Sequence, residues 1–297
     1  MMTKKDDLTG ADLFCGMGSF HLAMKAFAIK TVHACDTNPS VRATYERNHD
    51  LVPVGDIRDV HELLPDLAMV CAGFPCQPYS TNGKRRGIMD NVNGDLLQET
   101  LKLIALWRPK TCLLENVPGF LSWDSGRVWR DADNVLWDLG YSTVWLKLDC
   151  ADWGIPQHRE RVFGLAVRHD LLLSPSAPPL EPDLMTASET MPSMVTPTLG
   201  AFLGDPTITR DVCRTLRCRH KTVSLFSSGN WDWSHYERTD GSYHKITLAE
   251  GLALQGFNPD TWRWVCSENQ AWRMVGNTVP LTLACIAMSR LMPYLVF

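Results

Sequence analysis

At 297 residues the chain can hold one large domain or two smaller ones, with a sizeable core. Apolar residues at 45% against charged residues at 21% describe a globular polypeptide and exclude a disordered or fibrous one. A net charge of −4 excludes a uniformly basic nucleic-acid binder, so such contacts would have to come from local patches.

No apolar stretch is long enough to cross a bilayer, and the charged start over residues 1–9 lacks the apolar segment of a secretion signal. Ten cysteines are scattered without a C-x-x-C pair. That usage points to a reduced, cytoplasmic protein rather than a disulfide scaffold. Cys213, Cys218 and His220 lack the spacing and the fourth ligand of a zinc site.

Read in order, short β-like runs alternate with helical ones. Residues 11–14 form an apolar run followed by glycines, 20–29 have helical composition, and 31–35 predict a second strand ending at Asp36. Pro39 suits the first turn of a helix through Arg42, Tyr45 and Glu46. Val52-Pro53-Val54 predicts a short third strand before Gly55-Asp56-Ile57, and residues 67–72 a fourth. Leu97, Leu101, Ile104 and Ala105 recur on a helical period within 96–107. Residues 111–114 predict a fifth strand running into Glu115-Asn116-Val117, and 144–148 and 161–167 two closing strands. The alternation predicts an α/β fold with a mostly parallel sheet covered on both faces.

After residue 168 the pattern changes. Residues 174–206 are rich in proline, serine and threonine and predict an irregular connection. Residues 207–245 carry the basic run Arg210, Arg214, Arg217, Arg219, His220 and Lys221 among aromatics, and predict a smaller, less regular lobe. Helices return at Thr247 and over 280–291. The expected organisation is a sheet domain over 1–168, a lobe over 169–245, and C-terminal helices over 246–297 that return to the sheet domain.

The chemistry concentrates in Gly73-Phe74-Pro75-Cys76-Gln77-Pro78-Tyr79-Ser80. A thiol directly after proline, in a turn leaving a buried strand, is held on stiff backbone, and a thiolate is a strong nucleophile near neutral pH. The bland alternative is an ordinary strand-end cysteine. Polar residues also cluster at other strand ends, where open α/β sheets bind ligands. Asp12-Leu13-Phe14-Cys15-Gly16-Met17-Gly18 lets a ligand approach the backbone, but His21 stands where a dinucleotide fingerprint would carry its third glycine. Asp36 and Asp56, at the next strand ends, suit the ribose hydroxyls and the adenine amine of a nucleoside lacking phosphates, such as S-adenosylmethionine. Their bland alternative is helix capping. For Lys84-Arg85-Arg86 and the run from Arg210 to Lys221 it is a solvated face.

Six motifs in order resemble those of the cytosine-C5 DNA methyltransferases of bacteria and phages. They are Asp12-Leu13-Phe14-x-Gly16-x-Gly18, Gly55-Asp56-Ile57, Gly73-Phe74-Pro75-Cys76-Gln77-Pro78, Glu115-Asn116-Val117, Gln157-x-Arg159-x-Arg161 and Gly276-Asn277-Thr278-Val279-Pro280. The resemblance implies a Rossmann-like, S-adenosylmethionine-dependent sheet domain, with residues 169–245 as an irregular target-recognition domain. It implies that Cys76 attacks carbon 6 of a flipped-out cytosine in double-stranded DNA, so that carbon 5 accepts a methyl group. Glu115 would hold N3 and N4 of the base and Arg161 its O2 side, while Arg159 would support Arg161 or touch a phosphate.

The same resemblance places Phe14, Gly16, Gly18, Asp36, Asp56, Ile57, Pro75, Leu96 and Asn277 on the cofactor side, with the last motif's helix beside the first strand. For Asn277 a purely structural role is the equal alternative. Lys84, Arg85 and Arg86 would contact phosphates, and Arg214, Arg217, Arg219 and Thr222 would belong to the recognition surface. A monomer is expected, no metal is called for, and a restriction endonuclease of the same specificity is a candidate partner. Ser19, Asp36, Asn93, Ala249 and Asn258 depart from the family's commonest residues without removing a catalytic group.

Three rivals stand beside this reading. Methylation of a tRNA cytosine is disfavoured because the Cys-Phe-Thr tripeptide of the eukaryotic branch that does it is absent. A catalytically silent DNA-binding relative is disfavoured by the presence of Cys76, Glu115, Arg159 and Arg161. A nicotinamide-dependent dehydrogenase is distinguishable by which cofactor raises the melting temperature.

Overall fold

A computed structural model describes residues 8–75, 96–174, 177–178, 180, 194–217 and 234–295. In chain order the main elements are β1 (Thr9–Leu13), α1 (Ser19–Ala26), β2 (Lys30–Cys35), α2 (Pro39–His49), β3 (Met69–Gly73), α3 (Leu96–Trp107) and β4 (Thr111–Asn116). There follow α4 (Gly119–Ser122), α5 (Arg127–Asp138), β5 (Tyr141–Asp149), β6 (Gln157–His158), β7 (Glu160–Arg168), α6 (His169–Leu172) and α7 (Leu199–Leu203). The last are β8 (Cys213–Arg214), β9 (His235–Glu237), β10 (Tyr243–Lys245), α8 (Leu248–Ala253), α9 (Glu268–Asn277) and α10 (Leu281–Ser289).

Six strands form one sheet in the order β2-β1-β3-β4-β7-β5. The first four are parallel, and β7 runs antiparallel to both β4 and β5. The α/β expectation therefore holds, with two strands completing the sheet in mixed sense. Strand order reverses between β1 and β3, which places the ligand crevice of such a sheet at their carboxyl ends. The predicted strand around Val54 shrinks to a single bridge with Cys35. Pro53 has no N–H to give a ladder, so only Val54 pairs, donating to Ala34 O and accepting from the Asp36 N–H.

The central strands β3 and β4 are apolar almost throughout because helices cover both sides. Alternate residues serve opposite faces. Val70, Ala72, Cys112 and Leu114 pack with Leu97, Leu101 and Ile104 of α3 and Val128, Ala132 and Leu136 of α5. Met69, Cys71 and Leu113 pack with Phe20, Ala23 and Met24 of α1 and Leu283, Ala284, Ala287 and Met288 of α10. The last helix thus lies on α1, β5 and β7; α1, not β1 as expected, is its principal neighbour. A third cluster joins Leu199, Ile208, Leu216 and Tyr236 to Leu252, Trp272 and Val275, and to Met17 and Val41 beside the sheet. Among the described residues no helix is long and apolar enough to cross a membrane.

Helix α5 holds a half-buried acid. Asp133 accepts from Trp145 Nε1 at 2.9 Å, yet burial pushes its pKa up from 3.8 to about 6. An acid that ionises later folded than unfolded loses stability as pH rises through that window. Asp133→Asn keeps the acceptor and removes the charge. Discounted for partial exposure, the gain at pH 8 is roughly 1 kcal/mol, or about 2–4 °C in Tm. Thermal scans should show that gain at pH 8 and none at pH 4.

Candidate active site

The carboxyl ends of β3 and β4 meet in register, with Gly73 opposite Glu115. Asn116 secures the turn that follows β3, its Nδ2 donating to Phe74 O at 3.1 Å. Pro75 continues that turn at the surface. Cys76, which comes next, lies outside the described residues, as do Lys84, Arg85, Arg86, Arg219 and Thr222. A side chain on Gly73 would crowd the site: its Cβ would lie 3.2 Å from Glu115 Oε2. Glycine at this strand end leaves room for the acid.

Glu115 is 7% exposed and pairs with Arg161, whose Nε lies 2.9 Å from Oε1. Burial pushes the Glu115 carboxyl above its ordinary range, against the pull of Arg161 and Arg159. The pair can bind a planar polar ring from one edge, the acid offering a proton or a lone pair and the guanidinium offering donors.

Gln157, Arg159 and Arg161 are spaced by two along extended backbone, so their side chains share one side. The structure separates their work. Gln157 is fully buried, its Nε2 donating to Leu254 O and its Oε1 accepting from the Leu216 N–H. Arg159 is fully buried and donates to Leu216 O at 3.1 Å, Gly276 O at 2.8 Å and Thr278 O at 2.7 Å. Of the two roles expected for Arg159, contact with a phosphate does not fit this burial. The guanidinium is enclosed among carbonyls, where it ties together the backbone at Leu216, Gly276 and Thr278. Arg161 pairs directly with Glu115.

On the neighbouring strand ends, Phe14, Gly16 and Gly18 all have positive φ, at 56°, 52° and 84°. The Gly16 N–H donates to Asp36 Oδ2 at 3.3 Å, and the Asn38 N–H to Asp36 Oδ1 at 2.8 Å. Burial raises the Asp36 pKa. Asp56 caps the short turn Ile57–Asp59 and binds the Arg58 guanidinium, which holds its carboxyl below the usual range. Capping, the bland alternative, is therefore the work the geometry displays for Asp56. Phe14, Ile57 and Leu96 belong to one apolar cluster that flanks these acids. Asn277 ends α9 exposed, next to the buried Thr278. Arg214 and Arg217 are both exposed, on β8 and just beyond it.

This donor set fits S-adenosylmethionine: turn glycines, two carboxylates and an apolar wall. Gly18 is the most demanding position. A Cβ there would lie 2.3 Å from Nε2 of His49, which donates to Met17 O at 2.8 Å. Gly18→Ala should cost roughly 1–3 kcal/mol in unfolding free energy and weaken cofactor binding, both measurable by thermal shift with and without ligand. His49 carries no motif that would have singled it out.

The family model described as C-5 cytosine-specific DNA methylase matches residues 8–222. Type II methyltransferase M.HhaI of Haemophilus parahaemolyticus is 28% identical, covering 94% of both chains. Type II methyltransferase M.NgoBI of Neisseria gonorrhoeae is 31% identical over 90% of this chain and 88% of its own. The crystal structure of the S. pombe Dnmt2 methyltransferase superposes with a TM-score of 0.65 at 20% identity, covering 98% of this chain and all of its own. The chain belongs to the C-5 cytosine-specific DNA methylase family. Its activity is methylation of cytosine at carbon 5.

Proposed function

We propose that this enzyme uses S-adenosylmethionine to methylate a flipped-out cytosine in a particular double-stranded DNA sequence, through a covalent bond from Cys76 to carbon 6. The observation that carries the reading is the buried Glu115–Arg161 pair, set beside the Gly73–Pro75 turn that leads directly into Cys76. Residues 1–168 with 246–297 would form the catalytic domain, and 169–245 the target-recognition domain.

Phe14, Gly16, Gly18, Asp36, Ile57, Pro75 and Leu96 would hold the cofactor, with Asp56 shared between Arg58 and the adenine and Asn277 at the border of the site. Bound there, the cofactor supplies an electrophilic methyl on a sulfonium for carbon 5 to take. The chain's own part is to make that carbon nucleophilic. Cys76 Sγ adds to carbon 6 and pushes electrons towards carbon 5 and the N3 side of the ring. Glu115, kept protonatable by burial, donates to N3 and accepts from N4, while Arg161 donates to O2. A placed acid of this kind contributes roughly 10²–10⁴-fold in rate. Loss of the carbon 5 proton then releases Sγ. Lys84, Arg85 and Arg86 would neutralise phosphates, and Arg214, Arg217, Arg219 and Thr222 would line the recognition surface.

A mixed-sequence duplex library carrying 5-fluorocytosine provides the test. The fluorine blocks the final elimination, so wild-type protein with S-adenosylmethionine should give a DNA-shifted band stable to denaturation, and Cys76→Ala none. Absence of the band with folded wild-type protein refutes the adduct. A band from a 5-fluorocytosine tRNA pool and none from the duplexes assigns the substrate to RNA.

A further inference from the structure

Three residues from three segments converge beside the second oxygen of Glu115. The point where a Gly73 Cβ would stand lies 3.2 Å from Glu115 Oε2, 3.6 Å from Phe20 Cε2 and 3.6 Å from Val279 Cγ2. The acid thus faces Arg161 through Oε1, while Phe20 and Val279 border the space beside Oε2. These two apolar groups come from α1 and from the segment between α9 and α10, so something must hold them together. Ser19, adjacent to Phe20 and 4% exposed, does so. Its hydroxyl donates to Val279 O at 2.6 Å and lies 3.4 Å from Thr278 Oγ1. Arg159 clamps the same segment from the other side, through Gly276 O and Thr278 O.

We propose that Val279, locked to α1 by the Ser19 hydroxyl, is a positioning residue: with Phe20 it forms the apolar wall that fixes the Glu115 carboxyl and keeps water from it. This rests on the reading of Glu115 as the group that engages the cytosine ring. The physical reason is that an acid must be dry to retain its proton beside a guanidinium only 2.9 Å away. Gly73 on β3, Phe20 on α1 and Val279 bring no charge to this point; among the described residues the charges acting on Glu115 are those of Arg161 on β7 and of Arg159. Opening the wall admits water, lowers the pKa of Glu115, and deprotonates it at a lower pH.

The test is methyl transfer from radiolabelled S-adenosylmethionine to sheared genomic DNA lacking cytosine methylation, followed across pH with wild type, Val279→Ala, Val279→Ile, Ser19→Ala and Glu115→Gln. Val279→Ala should lower kcat by about tenfold, with KM for S-adenosylmethionine changed by less than about twofold, the split expected of a group acting on the transition state alone. Its alkaline limb should move to lower pH. Ser19→Ala should move it the same way by less, and Val279→Ile should restore the wild-type profile. If Val279→Ala fails to fold, Val279→Thr, equal in shape and polar in one branch, carries the same expectation. A Val279→Ala enzyme with wild-type kcat and pH profile, in an assay where Glu115→Gln is slow, overturns the inference and leaves the underlying reading intact. A Glu115→Gln enzyme as fast as wild type overturns that reading itself.

Discussion

Glu115→Gln is expected to fold normally and to lose methyl transfer by roughly 10²–10⁴-fold, the range of a positioned acid–base group. Glutamine keeps the shape and an acceptor for Arg161 Nε, now 2.9 Å from Oε1, so the wall of Phe20 and Val279 need not move. What it loses is the proton. Folding should even gain slightly at neutral pH. The Glu115 carboxyl is raised by burial, so its ionisation costs stability as pH climbs through the folded value. Denaturant melts at pH 7.5, run beside single-turnover methylation assays, separate the two effects. Near-wild-type rates from the variant would remove Glu115 from the chemistry.

The second large effect is on folding. Arg159→Leu should destabilise the protein by about 3–5 kcal/mol, as removal of one partner from a buried charged network does. Three carbonyls from distant parts of the chain, on Leu216, Gly276 and Thr278, lose their donors together. Each buried acceptor left unsatisfied costs roughly 1–3 kcal/mol. Arg159→Lys should recover only part of this, because an ammonium on a flexible stem cannot present a planar fork to several carbonyls at once. The fall in Tm should be roughly 10 °C for leucine and less for lysine. A leucine variant melting within a degree or two of wild type would show that these carbonyls find water instead.

These two residues also mark what could be read from the sequence. Glu115 was legible from its motif, Glu115-Asn116-Val117, which follows the apolar run through Leu113 and Leu114 as it does in the family the chain resembles. The sheet was legible because β3 and β4 are apolar runs bounded by turn residues. Arg159 is legible only in part. Its burial depends on carbonyls 57, 117 and 119 positions away, which no local pattern reports. Val54 was read as a strand residue from its apolarity, although Pro53 limits it to one bridge. Helix α5 went unseen because its apolar face, Val128, Ala132 and Leu136, is narrow among charges and tryptophans. Helix α9 had a signal, the Ser267–Gln270 capping box, obscured by the motif at its far end.

The packing of α10 onto α1 bears on how the protein is made. Phe20, Met24, Met69 and Leu113 are all translated before residue 120, yet the helix that shelters them, Leu281–Ser289, leaves the ribosome long after them. Until then one side of the nascent sheet stands bare and adhesive. Such a polypeptide should recruit chaperones that bind greasy surfaces until translation reaches that helix, and chains stalled before it should clump or be degraded.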